Sequence, residues 1–197
     1  MTFEEIHQAL AAKLGEKVGP LMPAKKDPFA LVQPEALVEA CDFLKHDPRT
    51  AMDCLMNLSA VDAFKGEGKK LHVVYHLYSY ARRHAFILKV ALDPKAPIVP
   101  SVESVWKSAD WLEREQFDLL GVSFTGHPDL RRIMLPDDWV GHPLRKDYKE
   151  PLEYHHISHL RENPLEGFVR LDQFKKAAAE KSAADAAAAA GKKELLQ

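Results

Sequence analysis

Leu71-His72-Val73-Val74-Tyr75-His76-Leu77-Tyr78, the turn Ser79-Tyr80-Ala81-Arg82-Arg83, and His84-Ala85-Phe86-Ile87-Leu88-Lys89-Val90-Ala91-Leu92 decide the fold. The first run is rich in Val, Tyr and Leu, side chains that suit a pleated surface. The second alternates, placing Phe86, Leu88, Val90 and Leu92 on one face, as a half-buried strand does. Upstream, Met52 to Val61 is apolar without helical spacing. The polar Lys65-Gly66-Glu67-Gly68-Lys69-Lys70 separates it from Leu71. Three consecutive strands with short connections predict an antiparallel meander.

Two helices precede it. Thr2 and Glu5 match a capping box, and Phe3, Ile6, Leu10 and Leu14 recur at helical spacing, predicting a helix over 2–14. Phe29 to Val32 reads as a short strand. Pro34 suits the first turn of a second helix, whose buried stripe is Leu37, Val38, Cys41 and Leu44. Helices ahead of a meander cover its apolar face, so the expected class is α+β: a small antiparallel sheet under helices. Beyond the proline-rich connector 93–100, Ser101 is expected to cap a short helix carrying Val102, Val105 and Trp106. Asp110 and Glu113 read as a second capping box for a helix over Trp111 to Leu120, with Gly121 as its left-handed cap.

After Gly121 the texture changes. Residues 122–170 hold five prolines, many charges and no sustained period of 2 or 3.6. Phe124, Trp139, Tyr148, Tyr154 and Phe168 punctuate them, whereas disordered chains are poor in aromatics. Such a segment orders by lying on another surface. From about Lys175 the chain is rich in Ala, Lys and Glu and lacks an apolar stripe. The expected organisation is therefore a globular domain over 1–121, an extended partner-binding segment over 122–174, and a helical or disordered tail over 175–197.

Composition excludes several classes. Of 197 residues, 27 are Lys or Arg and 29 are Asp or Glu, a net charge of −2. Near-balance argues against bulk attraction to nucleic acid or anionic lipid. The two cysteines, Cys41 and Cys54, offer neither a disulfide framework nor the thiolate set of an iron–sulfur cluster. No apolar run approaches the ~20 residues that span a bilayer. The opening Met-Thr-Phe-Glu-Glu lacks the basic and apolar regions of a signal peptide. The expectation is a soluble protein of a reducing compartment. GxSxG, GxxxxGK[ST] and GxGxxG are all missing.

Four constellations remain. Glu113, Arg114, Glu115 and Asp118 share the helix expected over Trp111 to Leu120; paired carboxylates suit general acid–base work, but the spacing favours a solvated or partner-facing charged strip. Gly126-His127-Pro128-Asp129-Leu130-Arg131-Arg132 and Gly141-His142-Pro143-Leu144-Arg145-Lys146-Asp147-Tyr148 each follow a turn with cations. Arg forks onto carboxylates or phosphates; either a protein partner or a free anion fits, and the interspersed aspartates favour the protein. His155, His156 and His159 have the spacing of metal ligands but lack the glutamate of HExxH. A stand-alone metal enzyme built on them is the rival from another class.

The run Trp111 to Tyr148 closely resembles the signature of the 30-kDa subunit family of respiratory complex I, a family whose bacterial members belong to NADH-quinone oxidoreductase. The match uses Glu113, Arg114, Glu115, Asp118, His127, Arg131 and Ile133, and continues from Gly141 to Tyr148. Val74 to Ser79 and Pro100 to Trp106 agree more loosely, and the resemblance covers about residues 30–150. It implies a structural subunit with no catalytic, cofactor-binding or metal-binding residue of its own. NADH, FMN, iron–sulfur clusters and quinone are implied on other subunits of the complex. The implied place is the peripheral arm at the cytoplasmic face of the bacterial inner membrane, with membrane association only through the complex and no nucleic acid. The implied partner is the 49-kDa-like subunit that helps form the quinone site, together with other peripheral-arm subunits. On that reading Arg131, Arg132, Arg145 and Lys146 pair with the partner, Trp139 and Tyr148 are anchors, and Asp147 completes the signature. Related domains also occur in energy-converting hydrogenases and other membrane-bound oxidoreductases, the nearest alternative.

Overall fold

The computed structural model describes residues 1–22, 28–63 and 70–158. Two compact units divide the chain, one over Met1–Lys149 and one over Glu150–Gln197. The first contains α1 (Phe3–Leu14), β1 (Val18–Met22), β2 (Phe29–Val32), α2 (Leu37–His46), β3 (Cys54–Ala63), β4 (Lys70–Ser79), β5 (His84–Leu92), β6 (Ile98–Pro100), α3 (Ala109–Leu120) and β7 (Ser123–Thr125). In the second, β8 (Glu153–Tyr154) and β9 (Ile157–Ser158) form a tight hairpin.

The fold is α+β. Thr2 caps α1 as expected: its hydroxyl accepts the Glu5 N–H while the Glu5 carboxylate accepts the Thr2 N–H. A single turn over Pro34–Ala36 leads into α2. The meander is present, with β3–β4 and β4–β5 antiparallel throughout. The sheet is larger than the meander and is not wholly antiparallel. Its order is β1-β2-β5-β4-β3, and β2 lies parallel to β5, Ala30 beside Leu88. β1 escapes a periodicity reading because Gly19 and Pro20 interrupt it and its register slips between Val18 and Leu21. Proline and a bulge are tolerated there because β1 is an edge strand.

One face of the sheet carries the core. Ile6, Leu10 and Leu14 of α1 and Leu37, Ala40, Cys41 and Leu44 of α2 join Leu71, Val73, Tyr75 and Leu77 of β4 and Phe86, Leu88, Val90 and Leu92 of β5 in one cluster. Burial holds Cys41 as a thiol, with the nearby Glu113 carboxylate acting in the same direction. The Tyr75 hydroxyl is buried there without a hydrogen-bond partner among the described residues.

Residues 101–106 correct the expected short helix. They form turns in which Val105 and Trp106 both donate to the Val102 carbonyl. The Trp106 indole donates to the Met52 carbonyl at 3.1 Å, and Lys45 donates to the Val105 carbonyl. These ties are made with α2 and the approach to β3, so tertiary contacts replace helical bonds. β6 and β7, the strands before and after α3, then pair in parallel, Val99 beside Phe124. That pairing returns the chain after Gly121 to the body, and the compact unit continues to Lys149 rather than stopping at Gly121. On the outer edge of the sheet, the Gln116 side chain of α3 accepts the Ala60 N–H at 2.9 Å, capping a donor that edge strand β3 leaves open.

The unpaired Tyr75 hydroxyl yields a sharp expectation. Tyr75→Phe removes a buried polar group with nothing to lose, and should gain about 1 kcal/mol in denaturant unfolding. Leu88→Ala, in the same cluster, should lose about 2–5 kcal/mol.

Candidate functional site

α3 folds with its polar side chains turned inward. Glu113 and Asp118 are fully buried, and Arg114 and Gln116 nearly so. The strip expected to be solvated or partner-facing is turned into the chain instead: each of these groups has a partner inside it. Nor do Asp110 and Glu113 form a capping box, because Ser108 stands at the helix start without a side-chain cap and Asp110 lies within the first turn.

Glu113 faces the turn before the helix. Its Oε2 accepts the Ser101 hydroxyl at 2.6 Å and its Oε1 accepts the Val102 N–H at 2.8 Å. His127, its side chain fully buried, brings Nε2 to 4.0 Å from Glu113 Oε2 and 3.3 Å from Asp110 Oδ1. His127 Nδ1 accepts the Asp129 N–H at 3.0 Å, which assigns the ring proton to Nε2, 3.2 Å from the Asp110 carbonyl. Burial raises the Glu113 carboxyl above its ordinary range, against the opposing bonds from Ser101 and Val102. Such a group is a recognised feature of acid–base sites. Here both of its oxygens are engaged by the turn at Ser101 and Val102.

Asp118 organises the following segment. Its Oδ2 accepts three consecutive backbone N–H groups, from Ile133 at 3.1 Å, Met134 at 2.7 Å and Leu135 at 2.8 Å. Its Oδ1 accepts Arg132 Nη1 at 2.7 Å. Burial works against this charge, but the three amides and Arg132 outweigh it and hold the carboxyl below its ordinary range. Arg132 Nη2 extends to the Trp139 and Gly141 carbonyls at 3.0 and 3.3 Å.

The last carbonyls of α3 are answered from the same segment. His142 Nδ1 donates to the Asp118 carbonyl at 2.8 Å, and the Leu144 N–H donates to the Leu119 carbonyl at 3.0 Å. Gly121 ends the helix in the expected left-handed conformation, φ 72°. A Cβ there would stand 2.6 Å from the His142 ring, so glycine is needed for space as well as for φ. Gly141 is cradled likewise: a Cβ would meet the Tyr148 ring at 3.0 Å. The Trp139 indole donates to the Tyr148 hydroxyl at 3.1 Å.

The sequence candidates thus fall into groups. Glu113, Arg114, Asp118, His127 and Arg132 meet inside the chain, Arg114 Nε reaching the Arg131 carbonyl at 3.3 Å. Glu115 is half-buried. Arg131 pairs with Asp129 at 2.9 Å in solvent. Lys146 donates its backbone N–H to Asp62 on β3, and Arg145 donates to the Pro94 carbonyl. Asp147 is largely exposed. His155 and His156 form the turn between β8 and β9, both at positive φ, while His159 lies outside the described residues. Among the described residues no three His, Cys, Asp or Glu side chains are grouped to hold a metal, and no helix is long and apolar enough to cross a membrane. Sequence reasoning missed Ser101, Gln116 and His142 as anchors. The available signal was a helix with polar residues at positions its apolar stripe needed.

Comparison with known proteins bears on the same residues. The family model described as respiratory-chain NADH dehydrogenase, 30 Kd subunit, matches residues 30–154. The chain belongs to this family. The C subunit of NADH-quinone oxidoreductase from Roseiflexus castenholzii is 48% identical over 116 residues, 59% of this chain and 66% of that protein. Its counterpart from Salinispora tropica, bearing the same name, is 38% identical over 158 residues, 77% of this chain and 64% of that protein. The chain thus spans just under two thirds of the length of these relatives. A trypsin-resistant fragment of Nqo5 superposes with a TM-score of 0.54 at 26% identity, covering 66% of this chain and all of the fragment. A chain of an archaeal membrane-bound sulfane sulfur reductase superposes at 0.62 and 22% identity, covering 82% of this chain and 96% of its own, and shares the fold. The span matched by the 30-kDa family model includes the Glu113, Asp118 and His127 cluster.

Asp118→Ala strands Arg132 and three amides and should cost about 3–5 kcal/mol in denaturant unfolding. The two carboxylates also have opposite pH signatures. The contribution of Asp118, with its lowered folded value, is present above the ordinary value of 3.8 and is lost as pH falls through the folded value. That of Glu113, with its raised value, is full below the ordinary 4.5 and is lost as pH rises through the folded value. Glu113→Gln should therefore flatten the decline of Tm on the alkaline side of 4.5 and leave the acid limb in place.

Proposed function

We propose that the chain is a non-catalytic structural subunit in the peripheral arm of a proton-translocating NADH:quinone oxidoreductase, docking on the 49-kDa-like subunit that helps form the quinone site. The observation that carries this reading is the use made of polar groups. The buried carboxylates of α3 are committed to holding neighbouring chain in place, Asp118 the segment after the helix and Glu113 the turn at Ser101 and Val102, a structural rather than a chemical task. Among its exposed charged residues the segment after the helix turns large apolar side chains outward: Met134 is 62% exposed, Val140 81% and Leu144 55%. Exposed apolar side chains on a rigidly held segment suit a protein contact.

On this reading residues 122–174 carry the partner contacts, 122–149 of them as part of the body; residues 159–174 and the alanine-rich 175–197, expected as a tail, lie outside the described residues. Arg131 and Lys146 reach polar groups of the partner, and Trp139 and Tyr148 anchor the contact beside Asp147. Flavin, iron–sulfur clusters and quinone reside on other subunits, this chain holding no cofactor or metal. Membrane association is peripheral, at the cytoplasmic face, and comes only through the complex. Membership of the 30-kDa family and the NADH-quinone oxidoreductase relatives support this placement.

Affinity purification of the tagged chain from membranes of its source tests it. Flavin- and iron–sulfur-bearing proteins should co-purify with NADH:quinone activity. Leu144→Asp, at an exposed position, should keep the Tm and weaken that association by about 30-fold, the loss of one interface hot spot of about 2 kcal/mol. A hydrogenase set in place of the NADH enzyme would change the machine; a lone chain would overturn the reading.

A further inference from the structure

Arg145 is a largely buried guanidinium with too little anion around it. Its side chain is only 18% exposed. Nη2 donates to the Pro94 carbonyl, while Nη1 is buried with no hydrogen-bond partner among the described residues. The nearest carboxylate, Asp147, stands 3.8 Å from Nε, too far for a hydrogen bond, on a side chain 81% exposed. A desolvated charge is costly unless it is paired. Its neighbours differ. Arg132 is closed onto Asp118 and two carbonyls, and Arg131 is paired in solvent.

Around Arg145 lies a cleft of about 370 Å³, lined also by Val140, His142, Asp147, Tyr148 and Lys149. Arg145 and Lys149 form its cationic side. The Tyr148 hydroxyl is already engaged by Trp139. Val140, on the wall, is the most exposed large apolar residue among the described residues, and Leu144 precedes Arg145 in the chain. A small free anion gains nothing from covering such apolar surface; a polypeptide does. Buried arginine beside apolar contacts is the composition of an interface hot spot.

We propose that this cleft receives an Asp or Glu side chain of a partner polypeptide, taken by Arg145 and Lys149, with Val140 covered in the same contact. The inference rests on the assembly reading above and adds the chemistry of one contact to it. The planar fork of Arg145 matches two carboxylate oxygens. An incoming carboxylate completes the pairing that Pro94 and Asp147 leave half made. Lys149 adds a second charge without geometric demand.

Zero-length carbodiimide coupling of the assembled complex in native membranes tests this, because it joins a lysine amine to a carboxylate only at contact distance. Lys149 should couple to an Asp or Glu of another polypeptide. That product should fall at least tenfold in Arg145→Ala and be unchanged in Arg49→Ala, an exposed arginine paired with Asp47 after α2. Should Arg145→Ala fail to fold, Val140→Asp supplies the same test from an exposed position: it sets a like charge in the cleft and should abolish the product at unchanged Tm. A complex that assembles while Lys149 couples only within its own chain overturns the proposal and leaves the assembly reading standing. A chain that never assembles overturns both. Titration of the purified full chain with inorganic phosphate and with phosphatidylglycerol vesicles closes the remaining route. Arg145-dependent saturation by either at or below millimolar concentration would make the cleft a free-anion or lipid site and overturn the proposal; no saturation is expected.

Discussion

The carboxylate of Asp118 accepts three successive backbone amides, from Ile133 to Leu135, while its other oxygen takes Arg132. Much of the chain beyond α3 depends on that arrangement. The amides belong to a segment with no regular secondary structure, whose N–H groups have no ladder or helix to enter. One buried charge satisfies three of them and sets the path of the segment. Arg132 then carries the constraint to Trp139 and Gly141, and the end of the helix carries it to His142 and Leu144. Residues without periodicity are thereby tied to the body by hydrogen bonds that they cannot make among themselves.

The design is demanding because buried charges are destabilising when half-satisfied. Asp118 answers that demand with four hydrogen bonds, and Glu113 with two and a histidine at 4.0 Å. The opposite shifts of the two carboxyls follow from this difference. Amides and a guanidinium outweigh desolvation at Asp118; desolvation prevails at Glu113. Asp118 fixes one geometry of the segment, since a slip would leave several groups unpaired at once. That specificity suits the proposed docking surface, which must be presented in one shape. It also makes the exception at Arg145 conspicuous. Arg131 and Arg132 each have a carboxylate at hydrogen-bond distance, and the buried guanidinium of Arg145 has its nearest at 3.8 Å.

Parts of this were legible in the sequence, and the reason is local. The Thr2–Glu5 cap, the alternation from Phe86 to Leu92, and Gly121 as a helix stop all depend on residues within a few positions of one another. The signature from Trp111 to Tyr148 was legible as a resemblance, and the family is the one to which the chain belongs. Other features misled because distant groups overrode local preference. Ser101 looked like a helix cap, and its oxygen does accept the Glu103 N–H, but the turns after it are tied to Met52 and Lys45 and its proton goes to Glu113, twelve residues on. Glu113 and Asp118 read as a solvated or partner-facing strip, because a charged side chain on a helix ordinarily stays at the surface.

The sequence by itself determined the α+β class, the meander, the Thr2–Glu5 cap of α1, the stop of α3 at Gly121 and the absence of the common catalytic motifs, because periodicity, caps and turn residues act over a few neighbouring positions. Only the tertiary structure decided that β2 lies parallel to β5, that β1 completes the sheet despite Pro20, and that the polar residues of α3 point inward. Those outcomes turn on which groups meet across long stretches of chain. A carboxylate is buried or solvated according to whether three amides and an arginine arrive beside it, and no local pattern announces their arrival.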